Sequence, residues 1–231
     1  MALWNDIKIA PSLICMDFLN VEKQIIALNK LAAAYHFDII DNHFTKTFGL
    51  PLEFLISIKK VAIVPIDVHL MVEDVEQVVE KLISVKVDMI TLPIENIVSN
   101  AFRLIRKIKE ANIKVGFAIN PITPIENLNY VLDVADKISV LTFDPGVAGQ
   151  KLVEITLGKI SKLAEQKKNN NFLFEIEADG SCNDVNFAKM VSAGITQCVV
   201  GTSGLFSLDN DIEIAWGKMK NYMNYESIYR K

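Results

Sequence analysis

Along the chain, short runs of apolar and β-branched residues alternate with longer stretches whose apolar positions recur every three or four residues. The short runs are "IKIAPSLI", "HFDIID", "PIDVHLMV", "DMITLPIE", "KVGFAIN", "KISVLTF", "FLFEIEAD" and "QCVVGTSG". Most are apolar on both faces, as parallel strands covered by helices should be. Between them, "VEKQIIALNKLAA" places Val21, Ile25, Leu28 and Leu31 on one helical face. "AFRLIRKIKEAN" places Phe102, Ile105 and Ile108 on one face with basic residues opposite. "VEQVVEKLISVK" and "VNFAKMVSAG" follow the same rule, and "QKKNNNF" reads as a solvated loop. Eight β-then-α units with short connections predict a parallel sheet. In a chain of 231 residues they predict a closed (β/α)8 TIM barrel, a single domain over residues 1–231. An open doubly wound sheet is the competing architecture, and the lack of G-x-G-x-x-G after the first strand counts against it.

Composition agrees with one large core: 51% of residues are hydrophobic and the mean hydropathy is +0.27. The net charge is −4 and the pI near 5.5, with no basic cluster interleaved with aromatics, so nucleic acid is not an expected partner. No apolar run is long enough to span a membrane, and "MALWNDIKIA" lacks a positive segment followed by an apolar one. Cys15, Cys182 and Cys198 are odd in number and form no C-x-x-C pair, so a disulfide framework is not expected and the cytoplasm is the expected compartment.

The polar residues inside the strands carry the chemistry. In barrels of this type functional residues sit at the C-terminal ends of strands. His36 and Asp38 are two apart and share the inward face of strand 2, Asp67 and His69 do the same in strand 3, and strand 7 ends in Asp179. His36, Asp38, His69 and Asp179 are therefore expected to meet near the barrel mouth. Two imidazoles and two carboxylates suit a divalent metal such as zinc, iron(II), cobalt, manganese or magnesium. The plainer reading makes each a hydrogen-bonded core residue; the paired spacing and the third strand end favour the metal. Three stretches after strands 6, 7 and 8, "FDPGVAGQ", "DGSCN" and "VGTSGLF", look like anion cradles, although their glycines would also serve simple tight turns.

"APSLICMD", "HFDIIDNHF", "DVHLMV", "NPITP", "DPGVAGQ", "EADGS" and "GTSGLF" occur in the order found in ribulose-phosphate 3-epimerases. The chain resembles that family over nearly its whole length. "SLICMD", "AFRLI", "DGSCN", "GTSGLF" and the late "AW" make it most similar to D-allulose-6-phosphate 3-epimerases. The resemblance implies a ribulose-phosphate-binding barrel that inverts C3 of a ketose phosphate, with His36, Asp38, His69 and Asp179 as metal ligands. Asp38 and Asp179 would double as the acid/base pair. Ser12 and His69 would contact the substrate. The phosphate would rest on Gly146, Val147, Ala148 and Gly149, on Gly180 and Ser181, and on Gly201, Thr202 and Ser203. The resemblance also implies a homo-oligomer. D-Allulose 6-phosphate is the favoured substrate and D-ribulose 5-phosphate the alternative.

Several positions depart from the family pattern. Ile40 and Leu141 stand where methionines near the metal are usual, Asn42 replaces a glycine, Pro93 replaces a histidine, and Leu152 replaces an aromatic residue. "FTKT" lacks the family's Pro-Asn, so the loop after strand 2 is expected to differ. Asp41 and His43 are expected to fix that loop or orient ligands, and Asp67 to be a structural carboxylate or to orient a ligand. Cys15 and Cys182 are expected to be packing residues. Two other readings compete. A decarboxylase or lyase on the same barrel would be expected to show a lysine near the strand centres, and none is expected there. A sugar-phosphate binder without activity would be supported only by the departures, against an intact Asp38 and Asp179.

Overall fold

A computed structural model of the chain describes residues 6–147 and 149–229, with side chains through residue 224. Among the described residues eight strands form: β1 Lys8–Pro11, β2 Tyr35–Ile40, β3 Ile66–Met71, β4 Met89–Pro93, β5 Lys114–Ile119, β6 Lys137–Leu141, β7 Glu175–Asp179 and β8 Gln197–Val200. Seven of the eight expected runs contain one of them, and β2 starts at Tyr35, one residue before the expected "HFDIID". They pair in parallel in the order β1-β8-β7-β6-β5-β4-β3-β2, and a parallel bridge between Ser12 and His36 joins the two ends of the sheet. The result is the expected (β/α)8 barrel. Register places His36 beside Asp67 and Asp38 beside His69, so the two short-spaced pairs are neighbours across β2 and β3.

The helices are α1 Val21–Leu28, α2 Leu52–Ile58, α3 Val75–Val85, α4 Ala101–Glu110, α5 Ile155–Asn170, α6 Phe187–Ala193 and α7 Ile212–Tyr229. Asp74 caps α3 by accepting from the Gln77 backbone N–H at 3.1 Å. Lys86, Asn171 and Gly194 end α3, α5 and α6 in the left-handed conformation, which releases the chain toward the next strand.

Four sequence expectations need correction. No α-helix follows β5; Pro121 and Pro124 interrupt the backbone there, and only a 3₁₀ turn, Ile125–Leu128, forms before β6. The buried stripe of α4 is Leu104, Ile105 and Ile108, at helical spacing, while Phe102 lies off it at 62% exposure. Leu31 lies beyond the end of α1 and is exposed. The lysines and first asparagines of "QKKNNNF" form the last turn of α5, because the basic residues suit a helix C-terminus.

Candidate active site

The inward residues of β2, β3 and β7 converge. One donor atom from each of His36, Asp38, His69 and Asp179 lies within 4.8 Å of the other three. His36 Nε2 is 3.0 Å from Asp38 Oδ1 and 3.5 Å from Asp179 Oδ2. His69 Nδ1 is 3.4 Å from the same two oxygens. Ser12 Oγ donates to the other Asp38 oxygen at 2.9 Å. Both imidazoles and Asp38 are buried, and Asp179 is partly open to the mouth.

The electrostatics follow from burial and pairing. Burial raises the Asp38 carboxyl, but the charge and hydrogen bond of His36, with the nearby His69, overcome it and hold it well below the usual range. Burial lowers His69, but attraction to Asp179 and Asp38 carries it up to about 9. His69 Nδ1 nonetheless makes no hydrogen bond. A buried nitrogen facing two carboxylate oxygens and bonding to neither is what a ligand set looks like before a cation is placed in it. The donor types and their proximity fit a divalent ion.

Above the cluster lies a cavity of about 330 Å³. Asp38 and Asp179 form part of its floor, and Ser12, Ile40, Met71 and Leu141 line its walls. Its far side is built from the three loops expected to cradle an anion. Gly146, Val147 and Gly149 come from the loop after β6, Gly180 and Ser181 from that after β7, and Gly201, Thr202 and Ser203 from that after β8. Ala148 lies outside the described residues. Gly180 has φ +107°, and a Cβ there would stand 2.3 Å from the Phe143 ring, so this turn needs glycine. Thr45, from the loop after β2, donates to the Pro145 carbonyl at 2.9 Å and links two of the loops over the mouth.

Asn42 has φ +62°, so it does the work of the glycine it replaces. Asp41 accepts from the backbone N–H groups of His43, Phe44 and Glu73 at 2.7–2.9 Å, which fixes the loop; His43 is exposed. Glu95 accepts from the Asn120 backbone and the Thr123 hydroxyl, holding the loop after β5. Burial pushes the Cys15 thiol up, and Cys198 together with burial does the same for Cys182, so neither is poised as a nucleophile.

One expectation fails outright: the barrel interior does contain a lysine. Lys137 at the start of β6 is buried, and its ammonium pairs with Asp67 and Glu177 below the cluster of His36, Asp38, His69 and Asp179. It does not line the cavity. The alternation "KISVL" puts Lys137 on the inward face with Leu141, and Glu177 is two residues before Asp179, so period-2 spacing carried both signals. Phe143, Met71 and Thr47 also line the cavity without having been singled out.

The profile described as "Ribulose-phosphate 3 epimerase family" matches residues 8–206. A ribulose-phosphate 3-epimerase of Aquifex aeolicus (strain VF5) is 33% identical over 216 residues, covering 93% of this chain and 96% of the relative. One of Escherichia coli (strain K12) is 32% identical, covering 84% of this chain and 87% of the relative. Among solved structures, a phosphoribosyl anthranilate isomerase from Thermococcus kodakaraensis aligns with a TM-score of 0.62 at 12% identity, over 93% of this chain and 97% of that one. That likeness concerns the fold alone.

Proposed function

The chain belongs to the ribulose-phosphate 3-epimerase family and is a ketose-phosphate 3-epimerase, and from that premise we propose that Asp38 and Asp179 are its two proton carriers. The observation that carries this reading is the cluster itself: two carboxylates on the floor of the cavity, held against two imidazoles, each with a buried Nδ1 that makes no hydrogen bond. Asp38 comes from β2 and Asp179 from β7, which β8 and β1 separate on one side and β3 to β6 on the other. A planar enediolate lying between them would present one face to each. Asp38 takes the C3 proton from one face and Asp179 returns a proton to the other, so C3 inverts without the sugar turning over. His36, Asp38, His69 and Asp179 would hold a divalent ion, which when bound supplies Lewis-acid stabilisation of the enediolate oxygens.

The Asp38 carboxylate is fixed by Ser12 on one oxygen and by the histidines on the other, which aims it rather than leaving it to rotate. Ser12 thus acts on the substrate side of the site partly through Asp38. The loops ending in Gly146–Gly149, Gly180–Ser181 and Gly201–Ser203 would receive the phosphate through backbone N–H groups and the Thr202 and Ser203 hydroxyls. The cavity walls of Ile40, Met71, Leu141 and Phe143 exclude water from the reacting carbon.

For the sugar, the blocks "SLICMD", "AFRLI", "DGSCN" and "GTSGLF" support D-allulose 6-phosphate, interconverted with D-fructose 6-phosphate. A second reading, D-ribulose 5-phosphate interconverted with D-xylulose 5-phosphate, is favoured by the names of the relatives. The test is kcat/KM for both sugars with metal supplied. Preference for one by tenfold or more assigns it, and no turnover of either by folded protein overturns the reading.

A further inference from the structure

Beneath the ligand cluster lies a second buried polar layer that the reaction does not use. Lys137 Nζ donates to Asp67 Oδ2 and, at 2.7 Å, to Glu177 Oε1. The remaining oxygens are also taken: Thr91 Oγ1 donates to Asp67 Oδ1 at 2.7 Å, and Gln197 Nε2 donates to Glu177 Oε2 at 2.5 Å. All five residues are buried. Gly116 leaves room for them, since a Cβ there would stand 2.5 Å from Thr91 Oγ1 and 3.4 Å from Lys137 Cε. The two carboxylates are therefore fixed at both ends and cannot rotate.

The oxygens that Lys137 grips are the ones that face His36. Asp67 Oδ2 is 3.6 Å and Glu177 Oε1 3.9 Å from Nδ1 of that ring. The opposite ring nitrogen, Nε2, faces Asp38 and Asp179. His36, Asp67 and Glu177 would themselves form a three-donor cluster, but the Lys137 ammonium already supplies a cation there. A ligating imidazole needs its other N–H oriented by an acceptor. His36 Nδ1 makes no hydrogen bond, and the two carboxylate oxygens that face it, at 3.6 and 3.9 Å, are held in place by a lysine.

We propose that Lys137 is a positioning residue for the metal site: it fixes Asp67 and Glu177 as an acceptor pair under His36, which keeps the ring proton on Nδ1 and presents Nε2 to the cluster above. This rests on the metal-site reading. The competing role is charge balance alone, since Lys137 offsets one of two buried carboxylates. The two roles separate in a charge-balanced variant, K137M with E177Q, which removes one charge of each sign but still leaves Asp67 Oδ2, the oxygen that faces His36, without its tether.

The experiment is zinc affinity of the metal-free protein, by competition with a chromophoric chelator, for wild type, K137M and K137M/E177Q. Nitrogen-15 NMR of the zinc-loaded forms reads the His36 Nδ1–H. Wild type is expected to bind zinc and show an Nδ1–H protected from exchange. Both variants are expected to bind about 10- to 100-fold more weakly, with that proton exchanging faster. Wild-type affinity in K137M, or its recovery in the double variant, overturns the inference. If K137M does not fold, the double variant decides alone. Wild type that takes up no zinc overturns the metal-site reading as well, and is told apart because the failure then appears before any substitution.

Discussion

The barrel interior holds two buried polar layers, one above the other, and they are satisfied differently. In the lower layer every oxygen of Asp67 and Glu177 receives a donor from the chain, and Lys137 supplies the positive charge. In the upper layer Asp38 and Asp179 face His36 and His69, and neither His69 Nδ1 nor the His36 Nδ1 that points down toward the lower layer has a hydrogen bond. Burying an ion without good pairing costs several kcal/mol. A layer that carries its own counter-ion is complete when the chain folds. A layer whose positive charge is a proton on an imidazole can exchange that proton for an ion from outside, and only this layer meets the cavity. Position along the barrel axis, more than residue type, separates carboxylates closed off by the chain from carboxylates that meet the cavity.

The largest effect expected is on the upper layer. Asp179→Asn should reduce kcat by roughly a hundred- to ten-thousand-fold while leaving the melting curve of the barrel cooperative. Near-wild-type turnover would remove Asp179 from the proton path. Next, divalent metal should stabilise the metal-free protein by about 2.7 kcal/mol at a hundredfold excess over Kd. Thermal melting with and without metal checks this, and the shift should vanish in Asp38→Asn or His69→Ala. A shift that survives both would place the ion elsewhere.

Ser203→Asp should raise KM by about tenfold or more through repulsion of the phosphate, with a smaller change in kcat, because Ser203 belongs to neither layer. An unchanged KM would move the phosphate away from the loop after β8. The smallest effect concerns pH. His69 is raised to about 9 in the metal-free fold, above its ordinary value of 6.5, so the stability it contributes is full below pH 6.5. It falls as pH rises through about 9. Metal affinity should climb over the same range, because the cation displaces that proton. Melting temperatures of the metal-free protein between about pH 6 and pH 10 test the sign, and a rise would contradict it.

Much of this is legible in the sequence. The period-2 spacing in "HFD" and "DVH" put His36, Asp38 and His69 on inward faces, and Asp179 closed strand 7. The strands were legible because parallel, doubly covered strands are apolar throughout. Lys137 was missed because it opens a strand whose other inward residues, Ser139 and Leu141, gave no hint of a charged neighbour. Its partners Asp67 and Glu177 lie 70 and 40 residues away in sequence, so only folding brings the three charges together. Phe102 misled because an apolar residue in an amphipathic helix reads as buried until a better-filled stripe, Leu104, Ile105 and Ile108, claims the interface.

The most direct test of the upper layer's role is exchange at the substrate's C3 in D2O, followed by NMR with each sugar phosphate, with and without a chelator. The account predicts deuterium at C3 together with appearance of the epimer, suppressed by the chelator and restored by metal. Exchange and epimerisation that proceed unchanged in metal-stripped protein would contradict it.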